Sequence, residues 1–301
     1  MTGEIEAFLE HMRLARNASP HTLNNYSRDL QVCAGFAQRL GVAGWRDAKA
    51  SHLRRYLAAL HEGGYSRASI ARKVSALRSF FKFLYRRGIV EEDPAISLST
   101  PKLPGRLPRF LSCEQVEALL SAPDCSTPAG LRDKAIMEAL YATGLRVSEA
   151  VGLDLDQVSS GGDTLRVKGK GDKQRIVLIG RKALAALDAY IAKGRPALAE
   201  KRRRFDSDGE RALFLNKAGQ RLTARSVGRL LRKHSLACGM GQVISPHVLR
   251  HCFASHLVDA GADLRVVQEL LGHAALTTTQ IYTHVTPKRL KAIYDQAHPR
   301  A

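Results

Sequence analysis

Apolar positions recur at helical spacing through most of the first ninety residues, and glycine, proline and serine punctuate them. Ser19-Pro20 has the N-cap and first-turn preferences of a helix start, and TLNNYSRDLQVCAGFAQRL follows it near a 3.6-residue period. Ser51 is placed to cap a second helix, HLRRYLAAL, which Gly63-Gly64 closes; Ser66 is placed to cap a third that ends at Gly88. On the third, Ile70, Val74, Leu77, Phe80, Phe81 and Leu84 share one face. Arg67, Arg72, Lys73, Arg78, Lys82 and Arg86 populate the rest of its circumference.

The pattern breaks where Pro94, Pro101, Pro104 and Pro108 crowd DPAISLSTPKLPGRLPR, a density that stops helices and favours an extended connector. Beyond it Ser112 and Gln115 form a capping-box pair, and LRDKAIMEALYATG predicts a helix ending at Gly144. TLRVKGKGDKQRIVLIG predicts two short strands around a glycine- and lysine-rich turn. Further helices are expected at 181–193, about 223–237, 246–259 and 263–271. The fold class is therefore mainly α with a small β-sheet, in two domains: a helical one over 1–93, a linker over 94–109, and a mixed one over 110–301.

Charge narrows the partner. The chain's 301 residues carry 47 Lys and Arg against 28 Asp and Glu, a formal charge of +19, and 45% are hydrophobic. This is a folded chain with an affinity for polyanions, since each phosphate neutralised releases counterions. No apolar run approaches the roughly 18–20 residues that span a membrane, and the acid-bearing first twenty residues do not read as a secretory signal, so a cytoplasmic protein without a membrane partner is expected. The five cysteines are scattered and never in a C-x-x-C pair, which reads as reduced structural thiols.

Four segments hold the residues best suited to chemistry: TGLRVSE (143–149), KGKGDKQR (168–175), HVLRH (247–251) and LLGHAALTTTQIYTH (270–284). Taken singly each has an ordinary structural reading, as a helix-junction arginine, turn lysines or structural histidines. A zinc site fails on spacing, with neither H-E-x-x-H nor paired Cys and His clusters. G-x-x-x-x-G-K-[ST] and G-x-S-x-G are absent, and the acids are too dispersed for a metal-dependent nuclease. Together, Arg146, Lys170, His247, Arg250 and His273 offer cationic donors suited to a phosphodiester, and Tyr282 offers an oxygen nucleophile, with no metal or other cofactor required.

In this order the segments resemble the tyrosine recombinase (lambda-integrase-like) family, whose catalytic pattern is T-G-x-R-x-x-E, a hairpin lysine, H-x-x-R, L-G-H and a tyrosine. Here they stand as Thr143-Gly144-Leu145-Arg146-Val147-Ser148-Glu149, Lys170 (with Lys168 and Lys173 as lesser candidates), His247-Val248-Leu249-Arg250, Leu271-Gly272-His273 and Tyr282. The N-terminal segment, with Ser19, Thr22, Leu23 and Tyr26, is similar to the family's core-binding (SAM-like) domain, and the ending TTQIYTHV…HPRA to its Xer subgroup.

The resemblance implies a two-lobed DNA clamp and site-specific cutting and rejoining through a 3′-phosphotyrosyl link to Tyr282, without metal or ATP. Arg146, Lys170, His247, Arg250 and His273 would be its catalytic partners. It also implies a double-stranded recombination site, a tetramer with itself or a paralogous recombinase, a division-associated DNA translocase as activator, and chromosome-dimer resolution as the task. Rival readings are a mobile-element integrase of the same chemistry, a relaxing type IB topoisomerase and a non-catalytic architectural DNA-binding protein. Arg72 and Lys73 on the third helix are candidate DNA-reading residues.

Overall fold

The computed structural model describes residues 1–16, 18–102, 110–158, 163–168, 174–201, 207–271 and 287–301. The chain divides into two compact units, Met1–Leu107 and Pro108–Ala301.

The described residues of the first unit form four α-helices, α1 (Thr2–Arg16), α2 (Pro20–Arg39), α3 (Ala50–Glu62) and α4 (Arg67–Arg86). The expected serine caps form at α2 and α4, where Ser19 accepts from the Thr22 amide and Ser66 from the Ser69 amide, each at 3.2 Å. Helix α3 starts one residue before the expected cap Ser51, because the Lys49 amide donates to Nδ1 of His52 at 3.1 Å and the imidazole takes the capping role. The α4 stripe is buried as its spacing predicts, and Phe80 meets Phe8 and Trp45 edge-on at 5.4 and 4.9 Å. This core continues past residue 93: Ala95 and Leu98 are buried in it, and Arg78 reaches the Leu98 carbonyl and, at 3.0 Å, Thr100.

The second unit runs α5 (Cys113–Ser121), α6 (Pro128–Thr143), α7 (Val147–Val151), β1 (Thr164–Lys168), β2 (Gln174–Leu178), α8 (Arg181–Ala189), α9 (Arg195–Ala199), α10 (Ser207–Arg211), α11 (Ala224–Ala237), α12 (Pro246–Asp259), α13 (Leu264–Leu270) and α14 (Pro287–Ala297). The strands pair antiparallel, in register from Thr164 opposite Leu178 to Lys168 opposite Gln174. Architecture is thus mainly α with one small sheet among the described residues, as the sequence predicts. Helix α6 is buried on all sides over Ala135–Thr143, so it forms the axis around which this unit packs. Among the described residues no helix is long and apolar enough to cross a membrane.

Candidate active site

Helix α6 delivers the TGLRVSE segment. Thr143 Oγ1 donates to the Ala139 carbonyl at 2.5 Å and accepts from the Leu145 amide at 3.3 Å, closing the helix. Gly144 then turns the chain with φ +59°, and a Cβ there would stand 2.5 Å from Phe253 Cδ1 and 2.9 Å from Leu271 Cδ2. Only glycine combines that left-handed turn with so close an approach to α12 and the end of α13. The turn places Arg146 at the N-cap of α7 and Glu149 at its third position.

Glu149 is buried and accepts four hydrogen bonds. The Arg146 amide reaches Oε2 at 2.9 Å and Arg146 Nη1 reaches Oε1 at 3.2 Å. Arg175, on β2, donates Nη1 to Oε1 and Nη2 to Oε2, both at 2.9 Å. Burial pushes the Glu149 carboxyl upward, but the hydrogen bonds from Arg175 and the Arg146 amide, with both guanidinium charges, outweigh it and hold the group below its ordinary value. Arg146 itself keeps 44% of its side chain exposed.

Arg250 lies on α12 one turn after His247. Its Nη1 donates to the Gly144 carbonyl and its Nη2 to the Leu271 carbonyl, the latter at 2.8 Å. One backbone bend therefore sets both arginines, projecting Arg146 forward and offering its carbonyl to Arg250. Burial first, and then the charge of Arg146, bring Arg250 down to about 10, so it is still cationic at neutral pH. Two guanidiniums that repel each other, one fixed by neutral carbonyls, make a site that gains from an anion. His247 is exposed in the first turn of α12, where the helix dipole adds to that preference.

Arg146, His247 and Arg250 are thus presented by the α6–α7 turn and the start of α12. Lys170, His273 and Tyr282, with Lys173, lie outside the described residues; Lys168 is exposed at the end of β1. Arg175 has no place in the catalytic motif, yet its spacing carries a signal: Arg175 shares the inward face of β2 with Val177 and sits opposite buried Val167, where alternation calls for an apolar residue. A cavity of about 1210 Å³ beside α12 and α13, lined by Phe110, His251, Leu264 and Val267, includes none of the described candidates.

On α4, Lys73 is buried. Its side chain is 5% exposed, with Nζ on Asp29 Oδ1 at 2.8 Å, so the ammonium is committed to a carboxylate inside the first unit. Arg72 also pairs with Asp29 but stays 40% exposed. The pairing has a simple cause: Asp29 on α2 is buried, and a buried carboxylate needs cations around it.

Residues 109–289 match the phage integrase family, and residues 5–88 match the phage integrase N-terminal SAM-like domain. The chain belongs to the phage integrase family, the tyrosine recombinases. A tyrosine recombinase XerC of Pelotomaculum thermopropionicum is 45% identical over 306 residues, covering 100% of this chain and 99% of that protein. A tyrosine recombinase XerD of Proteus mirabilis is 46% identical over 299 residues, covering 98% of this chain and 93% of that protein. Among solved structures, the XerH site-specific recombinase bound to palindromic difH substrate, a post-cleavage complex, is 25% identical, covers 97% of this chain and 83% of that one, and has a TM-score of 0.67. The enzyme class read from the sequence, a site-specific recombinase of the tyrosine type, is that of this family.

Proposed function

We propose that this recombinase breaks and rejoins double-stranded DNA through a phosphotyrosyl bond at Tyr282, at a specific site, in the service of chromosome-dimer resolution. The observation that carries this reading is the single bend at Gly144, whose carbonyl binds Arg250 and which leads into Arg146, a guanidinium still 44% exposed. The likeness to XerH, solved on a DNA substrate, supports DNA as the partner.

A phenol with a pKa near 10 is only about one part in a thousand ionised at pH 7, so Tyr282 needs a base, and His247 supplies it. Arg146 and Arg250 bind the non-bridging oxygens as negative charge grows on them, with His273 as a further donor. The departing 5′-oxygen takes its proton from Lys170. Bond energy stays in the covalent link, so the step consumes no ATP and is reversed by a 5′-hydroxyl. In this reading four subunits, identical or of two paralogous kinds, align two DNA sites, and a division-associated translocase switches them on.

The deciding experiment uses a nicked, labelled duplex carrying a candidate recombination site, without metal or ATP, and looks for a denaturant-stable protein–DNA adduct. The adduct is expected with the native chain and absent from Tyr282→Phe. Specific binding with no adduct from either would sink the reading in favour of an architectural role.

A further inference from the structure

We infer that Arg175 is a positioning residue for DNA cleavage, holding Glu149 so that Arg146 stays free to bind the scissile phosphate. The inference rests on the role proposed above for Arg146. Glu149 is a buried carboxylate with two guanidiniums on it, and the two bind it unequally. Arg175 meets it end-on through both Nη atoms, each at 2.9 Å, whereas Arg146 gives one Nη contact at 3.2 Å and its backbone amide. Arg175 thus takes two of the four hydrogen bonds on the carboxylate and leaves the Arg146 side chain a single one. Without it the buried charge would draw the Arg146 fork inward, because an unpaired buried carboxylate is costly and Arg146 is the other guanidinium within reach.

Two further features show that Arg175 is kept at a cost. It stands on the inward face of β2, opposite buried Val167, a position where an aliphatic side chain would pack. Its Nε is buried and finds no acceptor among the described residues, a donor that an apolar side chain would not have stranded. What the arrangement secures is a connection. The strand that carries Arg175 pairs with β1, so the Arg175–Glu149 contact ties that sheet to the bend that presents Arg146. A two-point tie of this kind needs a planar fork, which lysine lacks.

The test is single-turnover cleavage of the nicked duplex at saturating DNA, with site affinity measured alongside. Arg175→Gln is expected to slow adduct formation about 10–100-fold, by analogy with groups that orient metal ligands. Its affinity for the site should stay within about threefold, since a positioning defect acts on the bound complex. Arg175→Lys, which keeps the charge and loses the fork, should recover only part of the rate, and it carries the test if Arg175→Gln does not fold. Combined with Glu149→Gln, Arg175→Gln should cost little more than Glu149→Gln alone, because the two act through one contact. Native-like cleavage by Arg175→Gln, a loss confined to affinity, or additive losses in the double variant would each overturn the inference and leave the Tyr282 reading standing. Failure of the native chain itself to form the Tyr282-dependent adduct would remove that reading, and this inference with it.

Discussion

At the scale of single residues, the site depends on one glycine and one arginine acting together. Gly144→Ala asks a Cβ to stand 2.5 Å from Phe253 in a left-handed backbone. The conformation costs about 1–2 kcal/mol and the overpacking about 1–3 kcal/mol. The second unit should therefore lose roughly 2–5 kcal/mol in urea denaturation, and a loss below about 1 kcal/mol would show that α12 gives way easily. Arg250→Lys should fold, since lysine fills similar space, but a single ammonium cannot serve two carbonyls and still present a fork. Adduct formation should fall on the order of 10²–10³, and a native rate would take Arg250 out of the chemistry. These residues were legible because the ordered motif carries their identities. Arg175 was not, because its work is done through Glu149, 26 positions away in sequence. The burial of Lys73 is hidden for the same reason: its partner Asp29 lies 44 positions back, and a lysine on an amphipathic helix ordinarily means solvent.

At the scale of elements, the helices with clean caps and stripes were legible, whereas the C-terminal segment was not. HPRA is rich in polar residues, yet His298 and Arg300 are both buried. Arg300 donates Nε to Glu138 Oε2 at 2.8 Å, on the fully buried side of α6, and also reaches Glu117. Glu138 puts a charge at the buried centre of α6, and Arg300 supplies its partner. Arg300→Met strands the Glu138 carboxylate and should cost about 3–5 kcal/mol, while adding Glu138→Leu should restore most of it. His298 stacks on Tyr294 at 4.8 Å and accepts from the Arg300 amide at 3.1 Å. Burial first, then the charges of His256 and Arg300, lower it to about 3 against an ordinary 6.5, with only a backbone contact at Tyr141 opposing. A histidine depressed in the folded state contributes its stability fully above 6.5 and loses it progressively as the pH falls toward about 3. Thermal unfolding of the native chain should therefore fall across that window more steeply than that of His298→Phe. Identical slopes would mean that the tail releases before His298 titrates.

At the scale of the whole molecule, the charge of +19 and the chemistry at Arg146 and Arg250 should respond differently to salt. Both units carry more Lys and Arg than Asp and Glu, so DNA bound by the chain is held largely by displacing counterions. Contacts to about 6–10 phosphates would weaken site affinity by about 10³–10⁵ between 50 and 200 mM salt. The arginine pair works in a partly desolvated setting, where Arg250 is fixed by carbonyls and screened little by mobile ions. At saturating DNA, the single-turnover rate should accordingly change by less than about threefold over the same range. A double-logarithmic plot of affinity against salt, set beside the cleavage rate at saturation, separates the two. A rate that falls as steeply as the affinity would mean that the scissile phosphate is held by the same screened, outer-surface contacts as the rest of the duplex, and that the buried geometry around Gly144, Glu149 and Arg250 is not what binds it.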